Sequence, residues 1–403
     1  ALTSEDAHGK NVAIGYAALE TQNAGADAYN TAIGYNAGNV ITTGISNTLI
    51  GAQAGDTLTT GSYNIAIGYL ALSSETEYGL NVAIGFKALF AQDAGANAYN
   101  VAIGHAAGAA VTTGVDNTIV GGLAGDALTT GTRNSLFGKD AGSALTTGVN
   151  NTAIGKSALA SSVDGDSNTA IGYAALEDYE DGDGNGHNTA VGAKSQLNAS
   201  TGEFNTSLGS LSMGAGVTTG DNNVALGYTA GEDLTSGHSS VLIGSGAGQQ
   251  LTTGIKNVAV GALALNAENA HGLNVAVGYG ALYTLDAGVD GYNAAVGYQS
   301  GVTMTTGVNN TLVGGQSGNS LTTGSDNVAI GREALVTEDT GGRNTAIGRS
   351  ALATLNYNGN GYNTAVGYAA GTAMTTGTAN TLIGGLAGDA LTTGHSNVAI
   401  GYA

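Results

Sequence analysis

The densest cluster of ligand-type side chains is the run Glu177-Asp178-Tyr179-Glu180-Asp181-Gly182-Asp183-Gly184-Asn185-Gly186. Within it Asp181-x-Asp183-x-Asn185-Gly186 matches the first half of a calcium loop, in which alternate oxygen side chains face a cation and a glycine makes the sharp turn. The bidentate glutamate that closes such a loop would fall at position 192, which is Gly192. Asp181, Asp183 and Asn185 are therefore candidate Ca2+ ligands on half a motif, with a solvated acidic bulge as the alternative. Asp164-Gly165-Asp166 lies one repeat earlier and could add carboxylates. A second set is the recurring Thr-Thr-Gly, as at Thr42-Thr43, Thr59-Thr60, Thr112-Thr113, Thr252-Thr253 and Thr375-Thr376. In each pair one threonine must face outward. A flat threonine array could order water as an ice-binding face or carry glycans, or serve only β propensity and ladder bonding. A third is tyrosine after a motif glycine: Tyr16, Tyr35, Tyr69, Tyr173, Tyr228, Tyr279, Tyr298, Tyr368 and Tyr402. These rings could stack on sugars, or on each other to cover a corner.

Catalysis finds no such support. His8, His105, His187, His238, His271 and His395 are scattered and share no recurring nucleophile. The Gly-x-Gly strings are repeat turns, without the strand-to-helix context of a nucleotide site. The expectation is a protein that is not an enzyme.

The elements that position these residues follow from one pattern. Asn-(Thr/Val)-Ala-Ile-Gly recurs from Asn11 to Asn397, with 23 starts mostly 17 residues apart and a few spacings of 18 to 20. Self-similarity at a short fixed period is the signature of a solenoid. The coil Asn47–Tyr63, NTLIGAQAGDTLTTGSY, reads as a strand Thr48-Leu49-Ile50, a small-residue corner at Ala54-Gly55, a second strand Thr57–Thr60, and a turn. The predicted fold is all-β: one continuous parallel β-solenoid (a β-roll) over residues 1–403, with two short strands per coil. Coils would stack about 4.8 Å apart, which extends 23 of them over roughly 110 Å. Motif position 5 is Gly in all 23 coils and position 1 is Asn in 22, Ser240 being the exception. Stacked Asn side chains can hydrogen-bond along the axis and cap turns. Alternation puts positions 2 and 4 on one face and position 3 on the other. Both faces are apolar or β-branched, as in a strand covered on both sides. One face can fill the interior; the other then calls for a lateral partner.

Four coils form a 70-residue super-repeat: an Ala-Leu coil of 19, two Ala-Gly coils, and an Ala-Leu coil of 17. The pattern slips by one coil near Asn168–Asn223, which makes that region the least regular. The last seven residues, NVAIGYA, joined to the first ten, ALTSEDAHGK, make a 17-residue coil (7 + 10 = 17) much like those at Asn257 and Asn327. Ala1, Lys10, Asn11, Asn397, Tyr402 and Ala403 are accordingly expected to form a head-to-tail assembly junction.

Composition sets outer bounds. Gly is 69 of 403, and Pro, Cys and Trp are absent. Proline would remove a ladder donor from any strand it entered. The net charge of −20, from 30 acidic and 10 basic residues, disfavours nucleic acid and anionic membranes, both of which call for basic surfaces. No apolar run is long enough for a membrane-spanning helix, and the sequence opens without an initiator Met or signal peptide, as a mature or excised segment would.

The recurring Asn-Thr/Val-Ala-Ile-Gly followed by Ala-Gly or Ala-Leu resembles the head repeats of trimeric autotransporter adhesins (YadA-like) and is similar to the NTAIG-type repeats of tail-fibre proteins. The resemblance covers essentially the whole chain. It implies a left-handed roll, a homotrimer with the Val12-Ile14 and Thr31-Ile33 face at its axis, and display at the cell surface or on a virion. The functional expectation is a stiff extracellular fibre (surface filament, adhesin shaft or tail fibre) whose partners are copies of itself, head to tail and laterally, and surface glycans. The alternative is an ice- or glycan-binding solenoid. No cofactor is expected beyond the candidate Ca2+.

Overall fold

A computed structural model describes residues 1–5, 9–180 and 186–403. The chain divides into two compact units, Ala1–Phe204 and Asn205–Ala403. The division falls inside the irregular stretch where coil spacing slips.

Each unit is a parallel β-solenoid without helices among the described residues. The first carries 11 strands, from Val12–Ile14 to Thr189–Val191, and the second 12, from Thr206–Leu208 to Val398–Ile400. All are three residues long and cover motif positions 2 to 4. Within each unit every strand pairs in parallel with the next, in strict register: Thr48 lies opposite Ile65, Leu49 opposite Ala66, and Ile50 opposite Ile67. The same register holds at Thr311, Leu312 and Val313 against Val328, Ala329 and Ile330.

The strands alternate as expected, and the core takes the smaller residue. Position 3, Ala or Leu, is buried in nearly every coil, while the bulkier positions 2 and 4 face outward (Ala66 0%, Ile154 41%, Leu226 39%). Glycine explains how a thin core accepts leucine at position 3. In Ala-Gly coils the glycine after the alanine leaves room for a position-3 leucine, of the next coil or of its own: a Cβ on Gly38 would lie 2.7 Å from Leu49 Cδ1, and one on Gly55 2.9 Å from Leu49 Cδ2. In Ala-Leu coils a leucine such as Leu19 or Leu89 fills that space, and position 3 of the following coil is Ala32 or Ala102.

The expected second strand per coil is not regular strand. Its segment makes inter-coil backbone bonds that converge on one carbonyl, as where Thr42 N–H (2.9 Å) and Gly44 N–H (3.3 Å) both donate to Thr59. The chain then bends at the following Thr-Gly, so no alternating two-sided ladder forms. The all-β solenoid with about 17 residues per turn stands; one strand, not two, defines each coil.

The residue just before each motif Asn adopts the left-handed conformation again and again, as at Tyr63 (φ 63°), Asp116 (φ 59°) and Arg133 (φ 58°). Such a conformation is uncommon outside Gly and Asn. It persists here because the Asn column on one side and the strand ladder on the other fix the chain path.

Candidate functional site

The Asn column is structural throughout. Within the first unit Asn47 N–H donates to Asn30 Oδ1 (2.8 Å) and Asn64 N–H to Asn47 Oδ1 (2.9 Å). The same side chain clamps its own coil shut: Asn47 Nδ2 donates to the Gly61 carbonyl (2.9 Å), 14 residues on. The second unit repeats this, with Asn327 N–H to Asn310 Oδ1 (3.0 Å) and Asn310 Nδ2 to Gly324 (2.9 Å). These side chains are buried, so every oxygen and N–H they use is one that water cannot supply. Ser240 keeps the acceptor, taking the Asn257 N–H at 3.2 Å.

The threonine pairs split by role. The first threonine is mostly half-buried and bonds its hydroxyl to a carbonyl of the next coil: Thr59 to Thr76 (2.9 Å), Thr129 to Thr146 (3.0 Å), Thr252 to Asn269 (3.0 Å). The second, as at Thr43, Thr113 and Thr376, is exposed. The tyrosine column is exposed and stacks coil on coil: Tyr16 on Tyr35 (5.4 Å between centroids, 12° between planes) and Tyr279 on Tyr298 (5.7 Å, 15°). Phe86 and His105 occupy the same position and stack at 5.0 Å.

The candidate calcium ligands Asp181, Asp183 and Asn185 lie outside the described residues. Of the neighbouring acids, Asp166 accepts the Val149 N–H (2.7 Å) and Glu180 the Val163 N–H (3.2 Å), so both cap backbone of the preceding coil. The candidate junction residues fall in different units. In the first, Ala1 is exposed, Lys10 pairs with Asp27 (2.6 Å), and Asn11 Nδ2 donates to Glu5 (3.2 Å). In the second, Asn397 Nδ2 donates to Asn380 Oδ1 (3.0 Å), Ala403 N–H to Gly385 (3.2 Å), and Tyr402 is exposed.

Sequence reasoning passed over a further column. The twelfth coil position is a core residue: Leu58, Leu128, Leu251 or Met304 in Ala-Gly coils. In several Ala-Leu coils it is polar and still fully buried, as at Gln22, Gln92, Glu75, Glu268 and Glu338. Gln22 Oε1 accepts Asn30 Nδ2 (2.8 Å) and its Nε2 donates to Thr42 (3.2 Å). The glutamates cap the turn that follows them. Glu75 Oε1 accepts the Thr76 and Tyr78 N–H groups (3.2 and 3.1 Å). Glu338 Oε1 accepts those of Asp339 and Gly341 (3.1 and 2.7 Å), and its Oε2 that of Tyr357 (3.3 Å). Burial raises the carboxyl of Glu75 and of Glu338 above the usual glutamate range, and pushes Glu268 up to about 7. A signal was present in the sequence: Gln22 and Gln92, and likewise Glu268 and Glu338, stand 70 residues apart, the super-repeat length.

Glu268 has company that its counterparts lack. One carboxylate oxygen of Glu268, one ring nitrogen of His271 and one carboxylate oxygen of Asp286 lie within 4.8 Å of one another. No helix among the described residues is long and apolar enough to cross a membrane.

No family model and no curated protein matches the chain.

Proposed function

We propose that this chain is a structural repeat protein whose solenoid forms the shaft of an extracellular fibre, a surface filament, adhesin shaft or tail fibre, and that copies associate through the outer strand face. The observation that carries the reading is the outward row of β-branched and apolar side chains at positions 2 and 4, repeated in coil after coil. Ile103, Ile154, Leu208, Val296 and Ile383 are each more than a third exposed. An apolar strip of this kind along each unit is uncommon on a protein that stays single, and marks an association surface. No charged residue interrupts it, while the chain as a whole is acidic. The resemblance to trimeric adhesin heads and fibre repeats supports a trimer built on this face.

Two further features suit a fibre. Within each unit, interior coils are bonded on both sides by the same ladders, so a further coil of the same kind could extend them. Only 10 lysines and arginines are spread over 403 residues, which leaves few tryptic sites on a surface exposed to proteases.

The test is self-association of the untagged chain by light scattering and negative-stain microscopy, with the double substitution Ile154→Lys and Val313→Lys as the probe. Both side chains point away from the core, so the fold is expected to survive. Multimers or fibrils that dissolve into monomers in the double variant support the reading. A wild-type chain that stays monomeric up to high concentration overturns it.

A further inference from the structure

We infer that Glu268, His271 and Asp286 form a binding site for one first-row transition dication of the Zn2+ type. The inference is separate from the fibre reading. It rests on a juxtaposition: a fully buried carboxylate, an imidazole three residues on in the same turn, and a carboxylate from the next coil.

Geometry brings the donors together. His271 Nδ1 lies 3.9 Å from Glu268 Oε1, too far for a hydrogen bond and close enough for two ligands of one ion. A four-coordinate ion with bonds of about 2.1 Å holds its donor atoms roughly 3.4 Å apart. The three atoms, within 4.8 Å of one another, reach that spacing by rotation of His271 and Asp286. Asp286 is exposed and His271 only half-buried, so both are free to turn. Glu268 is fixed by the core and by the His271 N–H that donates to its Oε1 (3.2 Å).

Two atoms of the set are left over by the protein itself. Glu268 Oε2 and His271 Nδ1 are both buried without a hydrogen bond of normal geometry, the Ala287 N–H approaching the Glu268 carboxylate much as the Tyr357 N–H does that of Glu338. Buried polar atoms are nearly always satisfied, and here two of them belong to side chains of one cluster. The counterparts within the same chain show what is distinctive. At Glu338 both carboxylate oxygens are bonded to backbone N–H groups, and the place of His271 is taken by Gly341. At Glu75 an oxygen is also left over, but the equivalent of His271 is Tyr78. Of the Glu75, Glu268 and Glu338 coils, that of Glu268 alone adds a nitrogen donor.

The donor set selects the metal class. Calcium takes six to eight oxygen ligands; one imidazole and two carboxylates at a half-buried site suit zinc or a neighbouring transition metal, with water in the remaining position.

The experiment uses the untagged full chain, stripped with chelator and titrated with Zn2+ at pH 7.5 by calorimetry, and with Co2+ by visible absorption. The expected result is one ion per chain and tetrahedral-type Co2+ bands. Bound Zn2+ should also shield His271, and not His105 or His238, from histidine-specific acylation read by mass spectrometry. Glu268→Gln and His271→Tyr place at these positions the residues that natural coils already carry, Gln22 and Tyr78, so both variants should fold. Each should weaken binding at least tenfold, whereas Glu75→Gln and Glu338→Gln leave it unchanged. Absence of stoichiometric binding, or binding that survives both site substitutions, overturns the inference and assigns any metal uptake to scattered surface acids.

Discussion

Two adjacent glycines should respond in opposite ways to the same added methyl group. Gly314 ends its strand at φ +133°, and a Cβ there would lie 2.6 Å from both the carbonyl carbon and oxygen of Gly331 in the next coil. Gly315 has open space around its would-be Cβ and no positive φ. For Gly314→Ala, the backbone conformation costs an alanine about 1–3 kcal/mol. Forcing a methyl against backbone that cannot rotate away adds roughly 1–3 kcal/mol. The coils could part instead, but that would weaken bonds such as Gly331 N–H to the Val313 carbonyl (2.7 Å), at about 1 kcal/mol each. The expected cost is about 4 kcal/mol. Gly315→Ala should be neutral or stabilise by about 0.4–1 kcal/mol, because it restricts only the unfolded chain. Urea denaturation followed by circular dichroism measures both. Hydrogen exchange on peptides spanning residues 308–332 should show protection lost in the first variant and kept in the second. Equal effects, within about 1 kcal/mol, would refute the claim that inter-coil contact fixes the glycine column.

The Asn column gives a graded test. Asn117→Ala removes the acceptor for Asn134 N–H and the donor to Gly131 and should cost about 2–4 kcal/mol, while Asn117→Ser, which copies Ser240, should cost distinctly less in the same urea titration. Ser240→Asn should conversely stabilise the second unit by about 1 kcal/mol. A pH effect follows from the buried glutamates. The carboxyls of Glu75 and Glu338 are raised above 4.5 in the folded chain, so between that pH and their folded values the native state holds more protons than the unfolded one. Stability contributed there is present at low pH and lost as pH rises. The Glu75→Gln/Glu338→Gln variant should therefore show a flatter fall of melting temperature from pH 4.5 upward than the parent; parallel curves would contradict the burial argument.

Much of the fold could be read from the sequence because the repeat unit is also the physical unit. Asn and Gly at positions 1 and 5 recur where a clamp and a close approach are required. Alternation separated Ile14 from Ala13 without saying which faces inward. That choice is made by the neighbouring coil, where Gly38 beside Leu49 leaves space for one leucine and no more. The second strand was misread because Thr-Thr has high β propensity, and propensity reports fit to a half-buried pleat rather than the number of ladder bonds. The Glu268 cluster escaped notice for a different reason. Reading along the chain, Glu268 is an isolated acid in a polar turn. Only stacking the coils places it in a column of leucines and brings Asp286 of the next coil to its side.

The reach of the Asn and threonine bonds has a bearing on how such a chain changes over generations. Their hydrogen bonds between coils span 16 to 20 residues, as in Thr218 to Leu234 and Thr21 to Ile41, so a coil's bonds reach no further than its immediate neighbours. Within a regular stretch, loss or duplication of one 70-residue block by unequal recombination would rejoin coils of the same kind, with leucine still meeting glycine at every new contact. Length can therefore vary by the four-coil block, and the run of three Ala-Gly coils from Asn100, in which Gly125 still faces Leu136, shows that a single coil of the right kind can be added as well.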